Sequence, residues 1–398
     1  MKSARYTSML KEKTIFLDFQ SSTPLHEKAV EMMAPYFTEK FANPHSNDHV
    51  LGVESNRAIQ SARKKIANSI GADEDEIIFT SGATEANNLA TKGLQRFLKA
   101  HKRTRIITSS IEHKCVLASL EFLKEDGFEI IHLLPNKNGI ISPETLQAVI
   151  DDTVGLVSIM TVNNEIGTIQ PISDLCAIAH SSGALFHTDA AQAPVFMNLD
   201  VNQLDVDMLS LSSHKIYGPK GIGALFVRRD VKRDITPIIH GGGQEDGLRS
   251  GTLPTALCVG FGEALHQASQ TADINAEKLA ALSTLFLSEL KAVIPEIEIN
   301  GSLDMRHPGN LNIRFPGFKS QDFLQSLQPK IAASTGSACN SGIEAPSYVL
   351  DAIGLSPSAA AECVRFSFGV DQEAKIIIKA VEIIYDIYKN KINIMEIA

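Results

Sequence analysis

The chain has no run of roughly 18 or more apolar residues, the length a membrane-spanning helix needs. Its start, Met1-Lys-Ser-Ala-Arg-Tyr-Thr-Ser-Met-Leu10, lacks the apolar stretch and small-residue cleavage site of a secretory signal, so a cytoplasmic protein is expected. Cysteine is scarce. The five residues Cys115, Cys176, Cys258, Cys339 and Cys363 are odd in number and contain no C-x-x-C pair, which fits neither a disulfide framework nor a zinc site. No metal is expected, and at least one thiol is free for chemistry. Positive charge is also short: 37 basic against 46 acidic residues give a net charge of −9 and no global attraction to nucleic acid or anionic lipid. Neither G-x-G-x-x-G nor G-x-x-x-x-G-K-[ST] occurs, so Gly218–Gly223 and Gly241–Gly243 read as tight turns and not as nucleotide loops.

What is present is an ordinary globular composition, 44% hydrophobic and 21% charged, over 398 residues, long enough for two domains. Short apolar runs recur at Glu76–Thr80, Arg105–Ser109, Gly155–Val162, Ala184–Thr188 and Val206–Leu211, each too short for a helix and suited to a buried strand. Between them lie helical patterns; in Glu54–Ile70 the residues Ala58, Ile59, Ala62, Ile66, Ala67 and Ile70 repeat at three- and four-residue spacing up to Gly71. This alternation predicts an α/β fold with a mostly parallel sheet, whose ligands bind beyond the carboxyl ends of the strands. The pattern changes after the Gly-rich stretch His240–Thr252. A large domain over 16–262 and a smaller α+β domain built from 1–15 and 263–398 are expected. The last helix, about Gln372–Asn390, has a wide isoleucine-rich face and no basic bias, which suits core packing and not a membrane surface.

Polar motifs just after strands carry the candidate chemistry. Ser81-Gly-Ala-Thr-Glu-Ala86 opens a helix, where free N–H groups and the Thr84 hydroxyl can seat a phosphate; a plain N-cap with a capping-box acid is the competing reading. Asp189, after a strand, can hold a protonated ring nitrogen or cap the next helix. Ser210-Leu-Ser-Ser-His-Lys215 sets hydroxyls, an imidazole and an amine side by side, and Lys215 is a candidate Schiff-base amine or a solvated charge. Together, phosphate seat, acid and lysine are the parts of a pyridoxal phosphate site. His113 can stack on a planar ring or shuttle a proton. Cys339, in Ser334-Thr-Gly-Ser-Ala-Cys-Asn-Ser-Gly342, has no large apolar neighbours and suits a reactive thiolate, whereas Cys115, Cys176, Cys258 and Cys363 read as buried, inert thiols. Arg365 alternates with apolar residues and should point inward, toward an acid or a substrate carboxylate.

These stretches resemble the class V aminotransferase-like pyridoxal phosphate enzymes, and within them the cysteine desulfurases of the NifS/IscS type, over nearly the whole chain. The matching segments include Leu17-Asp18, Thr23-Pro24, Asn43-Pro44, Ser81–Glu85, Glu112-His113-Lys114, Val162-Asn-Asn-Glu-Ile-Gly167, Asp189-Ala-Ala-Gln192, His214–Gly223, Arg249–Pro254 and Gly336-Ser-Ala-Cys339. The resemblance implies the type I fold of these enzymes and a homodimer. It implies Lys215 as the Schiff-base lysine, Asp189 on the pyridine nitrogen, Gln192 near the ring hydroxyl and His113 on the ring as proton carrier. Ala83, Thr84, Ser212 and His214 would hold the phosphate, Thr252 would reach the partner subunit's phosphate, and Asn164 would contact cofactor and, with Arg365, the substrate carboxylate.

The implied reaction turns L-cysteine into L-alanine, with Cys339, on an extended loop at about 332–345, taking the sulfur as a persulfide for an acceptor protein. Two competing readings are a selenocysteine lyase or other class V lyase, which needs no long cysteine loop, and a catalytically silent sulfur-relay scaffold, which would not need Lys215, Asp189, His113 and Cys339 together. The start departs from the family pattern at Asp18-Phe-Gln-Ser-Ser-Thr-Pro24, a change expected to touch packing more than catalysis. The end, Tyr388–Ala398, is shorter than the tail with which housekeeping members dock an iron-sulfur scaffold. A dedicated sulfur donor is therefore expected, nucleic-acid sulfur modification being among its possible pathways.

Overall fold

The computed structural model of the chain describes residues 14–336 and 347–397. Its strands are β1 (Ile15–Phe16), β2 (Ile77–Thr80), β3 (Arg105–Ser109), β4 (Glu129–Leu133), β5 (Val154–Ser158), β6 (Leu185–Asp189), β7 (Met208–Ser212), β8 (Gly223–Val227), β9 (Glu298–Ile299), β10 (Asn310–Arg314), β11 (Ile331–Ala332) and β12 (Cys363–Ser367). By contacts the described chain divides into two units, one of residues 22–163 and 168–274, the other of 14–21, 164–167 and the described residues after 274. The expected change of domain at residue 262 falls inside a single helix, Thr255–Val293, because its apolar pattern runs on without a break.

The larger unit holds a seven-stranded sheet in the order β2-β8-β7-β6-β5-β3-β4. β8 is antiparallel to both of its neighbours, and the other adjacent pairs are parallel. Every residue of β2, β5, β7 and β8 is buried. Helices cover both faces of such a sheet, so its strands read as continuous apolar runs and not as alternation. β4, at the edge, is half exposed and carries Glu129 and His132, which hid it from the apolar-run criterion. The run expected as Gly155–Val162 ends as a strand at Ser158, yet Ile159 and Thr161 still donate N–H bonds to His187 and Asp189. On one side Leu89, Ala90, Leu120 and Leu123 of the helices Ala83–Gly93 and Lys114–Glu125 close a core with Ile78, Ile106, Met208 and Leu225 of the sheet. Because six strands share one direction, the segments after β2, β6 and β7 all leave from the same edge.

The smaller unit is α+β, with an antiparallel sheet in the order β12-β10-β9 and a short parallel pair β1-β11. Phe286, Phe315, Phe323 and Phe366 are fully buried, and Phe286 lies 5.0 Å from Phe366 and 5.3 Å from Phe368, ring centre to ring centre. The last helix, Ala374–Ile397, buries Ile377, Ala380, Val381, Ile384 and Tyr388 along one face. Among the described residues no helix is long and apolar enough to cross a membrane.

Phe286→Ala removes the ring on which Phe366 and Phe368 pack. It should cost about 3–5 kcal/mol, read as a lower midpoint in equilibrium denaturation.

Candidate active site

β6 delivers Asp189 to the carboxyl edge of the sheet, 5% exposed. Its Oδ2 accepts from the Asn87 side-chain amide at 2.7 Å and its Oδ1 from the Ala191 N–H at 3.0 Å. No helix starts here, since residues 190–197 form turns, so the capping reading fails and the carboxylate has another task. Two neutral donors orient it without cancelling its charge. Gln192, in the same turns, is buried.

The next strand, β7, runs through buried Ser212 into the short turn Ser213–Lys215. Thr23 fastens this turn: its hydroxyl donates to the His214 carbonyl at 3.0 Å and accepts from the Tyr217 N–H at 2.7 Å. Tyr217 takes a φ of 62°, and a Cβ on Gly218 would lie 2.1 Å from Ser213 Oγ, so the backbone doubles back as closely as a glycine allows. Lys215 sits half-buried at the end of the turn. Beside it, Ser213 Oγ and His214 Nδ1 are buried without hydrogen-bond partners among the described residues, as donors or acceptors kept for another group would be. Burial, with help from Lys215 and Lys220, pushes His214 down to about 4, so its ring is neutral at physiological pH.

β2 enters the helix Ala83–Gly93 through Gly82, and no side chain caps that helix start. Gly82 has a φ of 150°, and open space lies where its Cβ would be. Behind it, a Cβ on Gly223 would come within 2.7 Å of Gly82 Cα, so the first residue of β8 must be glycine for the helix start to sit where it does. Ala83 and Thr84 therefore offer an uncapped first turn. The capping-box reading is realised in part, because Glu85 accepts from the Ser81 N–H at 2.8 Å, and its other oxygen accepts from Arg249 Nε at 2.7 Å. Burial works against the ionised Glu85, but Arg249 and Ser81 outweigh it and its pKa ends below the ordinary value. Arg249 lies on the segment that carries exposed Thr252.

His113 caps the helix Lys114–Glu125 through Nδ1, which accepts from the Cys115 N–H at 3.2 Å. Burial lowers its pKa, Asp189 opposes that, and Lys215 and Lys114 reinforce it. The structure thus brings Asp189 and Lys215 each within electrostatic reach of His113. Glu112, fully buried beside them, is pushed up from the ordinary 4.5 to about 8 by burial and then by the charge of Asp189, while the Met160 N–H donates to its Oε1 at 2.9 Å. Cys176, Cys258 and Cys363 are buried thiols with raised pKa, as expected. Cys115 departs from that expectation: it is half-buried and bonded to His113, because the second position of the helix turns it back over the cap.

In the smaller unit Arg365 is 4% exposed. Its Nη1 donates to the Asn164 carbonyl at 2.6 Å and its Nη2 to Asp18 Oδ1 at 2.5 Å and Ser334 Oγ at 3.0 Å. The acid expected for an inward arginine is therefore Asp18, yet Nε remains buried without a partner among the described residues. Asn164 meets Arg365 through its backbone oxygen. Cys339 and most of the 332–345 segment lie outside the described residues. Among the described residues no cluster of three or more His, Cys, Asp or Glu side chains is placed to hold a metal ion.

The aminotransferase class-V profile matches residues 15–377. The chain is 46% identical over 355 residues to the cysteine desulfurase IscS of Rickettsia akari (strain Hartford), covering 89% of this chain and 86% of the relative. The chain belongs to the aminotransferase class-V family, among its cysteine desulfurases. A solved NifS-like protein superposes with a TM-score of 0.88 at 32% identity, covering 95% of this chain and all of the other. A structure described as SspA in complex with cysteine superposes at 0.77 with 40% identity over 89% of this chain and 99% of that one. Cysteine desulfurases of this family depend on pyridoxal phosphate. The uncapped helix start, the unpartnered polar atoms beside Lys215 and the buried carboxylate of Asp189 fit that cofactor's phosphate and its basic ring nitrogen.

Sequence reasoning assigned Asn87 no role, named Glu112 only as the neighbour of His113, and read Cys115 as an inert thiol, because each gains its meaning from neighbours in space. The one signal for Glu112 was its place beside His113 after β3. A raised carboxyl pKa means that the folded protein holds a proton the unfolded chain releases, so this contribution is complete below about pH 4.5 and fades as pH rises toward 8. Glu112→Gln should remove that slope, raising stability relative to the parent increasingly from pH 5 to pH 8 in denaturation curves.

Proposed function

We propose that the chain converts L-cysteine to L-alanine, transfers the sulfur to Cys339 as a persulfide, and passes it to an acceptor protein. The observation that carries this reading is the placement of Asp189 at the end of β6 and of Lys215 just after the adjacent β7, with His113 in electrostatic reach of both. Solution of a similar protein, SspA, with cysteine supports the substrate.

Bound pyridoxal phosphate supplies an electron sink for the pair released at the substrate Cα. Asp189 keeps the ring nitrogen protonated, its orientation set by Asn87 and the Ala191 N–H. Lys215 anchors the cofactor and takes the proton from Cα. Ala83, Thr84, Ser212 and His214 would hold the cofactor's phosphate, Gln192 would bind near its ring hydroxyl, and His113 would act beside the ring in proton transfer. Asn164 and Arg365 would hold the substrate carboxylate, Arg365 supplying a buried Nε–H that has no partner among the described residues. Cys339 attacks the substrate sulfur as a thiolate; the S–S bond forms as the C–S bond breaks, and alanine leaves after protonation. A homodimer in the cytoplasm completes the reading. Phe37, Phe41 and Val50, 61%, 72% and 68% exposed, are apolar side chains that a second copy could cover, and Thr252 is exposed for that copy's phosphate.

The test is release of alanine and sulfide from L-cysteine with a reductant present. Lys215→Ala should abolish both, and Cys339→Ala should retain the cofactor while releasing no sulfide. Cys339→Ala activity equal to the parent's would replace the persulfide route with direct elimination. Arg365→Lys should raise KM for L-cysteine at least tenfold, roughly the loss of one charged hydrogen bond.

A further inference from the structure

Cys115 joins groups that the proposed mechanism treats separately. Its Sγ lies 2.9 Å from His113 Nδ1, and it accepts from the Asn87 amide at 3.1 Å. The same Asn87 nitrogen donates to Asp189 Oδ2, one hydrogen to each acceptor. The Thr84 side chain also bonds the thiol. One half-buried sulfur therefore meets His113, Thr84 and the amide that orients Asp189.

The donors at His113 decide the tautomer. Nδ1 already accepts from the Cys115 backbone N–H at 3.2 Å; a hydrogen on Nδ1 would set donor against donor. Burial, and then Asp189, pushes the thiol up to about 12, so it keeps its hydrogen at working pH. With Asn87 donating to the sulfur, that hydrogen is available to Nδ1. We propose that Cys115 is a positioning residue: its thiol and backbone N–H together fill Nδ1 of His113 and keep the ring neutral with its proton on Nε2, so that Nε2–H serves as a hydrogen-bond donor. The catalytic part of this statement rests on the reading of His113 as a residue of the reacting centre; the tautomer does not. The charged and titratable groups facing His113 are Asp189, Lys215, Lys114 and Cys115, with Glu112 next in the chain.

The sign of the effect follows. Removing a donor from Nδ1 destabilises the neutral ring, so the ring takes up a proton more readily and the acid limb of turnover moves to higher pH. The experiment uses holoenzyme carrying histidine labelled with carbon-13 at Cδ2, whose shift separates the two tautomers, with His113→Asn to assign the signal. The parent should show His113 as the Nε2–H form. In Cys115→Ala both the titration of that signal and the acid limb of alanine formation should move up by about one pH unit, the size expected for one lost hydrogen bond. Cys115→Ser, which keeps a donor, should stay near the parent. An Nδ1–H signal in the parent, an unshifted titration in Cys115→Ala, or a serine variant no closer to the parent than alanine would each overturn the proposal. Undiminished alanine formation by His113→Ala would instead sink the proton-carrier reading and leave the tautomer result standing.

Discussion

A single negative charge, the carboxylate of Asp189, is buried at the end of β6, and its neighbours are arranged around it. Asn87 and the Ala191 N–H orient the carboxylate. Its field adds to burial in raising the pKa of both Glu112 and Cys115, so both stay protonated and neither competes with it for a cation. Farther down the same strand His187 is fully buried and pushed down to about 4, a neutral ring bridging Ser158 at 2.8 Å and Ser210 at 3.0 Å. Proton-holding neighbours and a neutral imidazole surround the Asp189 carboxylate.

Three ion pairs hold the Gly-rich segment 240–252 to the same unit, one of them from Lys232 to Asp246 at 2.8 Å. Arg63 makes a two-pronged contact with Glu245 at 2.9 and 2.6 Å, and Glu245 also accepts from the Phe79 N–H at 2.7 Å. Glu245 and Asp246 both have positive φ, a strained pair that these bonds hold in place. At the other end Arg249 grips Glu85. The segment is therefore tied to β2 and to the helix that follows it, the two elements that meet at the uncapped turn of Gly82.

The alternating architecture was legible from the sequence because fully covered parallel strands are uniformly apolar and the helices between them keep a clean period. The edge strand β4 and the reversed β8 were not: one is half exposed, and the other begins at a glycine whose need is set by contact with Gly82. In the site, Asp189, Lys215, His113 and the Ser81–Glu85 turn stood out because each follows a strand. Asn87 and Cys115 did not, since a helical residue's polar partner on a neighbouring element leaves no trace in local spacing. Arg365 was read as inward on its alternation with apolar residues. Its partner Asp18 lies 347 residues away in the chain, a separation that no local pattern encodes.

The Thr23 hydroxyl that fastens the turn of Lys215 also has a meaning in time. Its two partners, His214 and Tyr217, lie 191 and 194 positions farther along the chain. At a ribosomal pace of about 5–20 residues per second, roughly ten to forty seconds separate the emergence of the two ends of this contact. During that interval the Thr23 hydroxyl lacks both of these partners, so the bonds that fasten the turn of Lys215 form only after β2 through β7 have been synthesised.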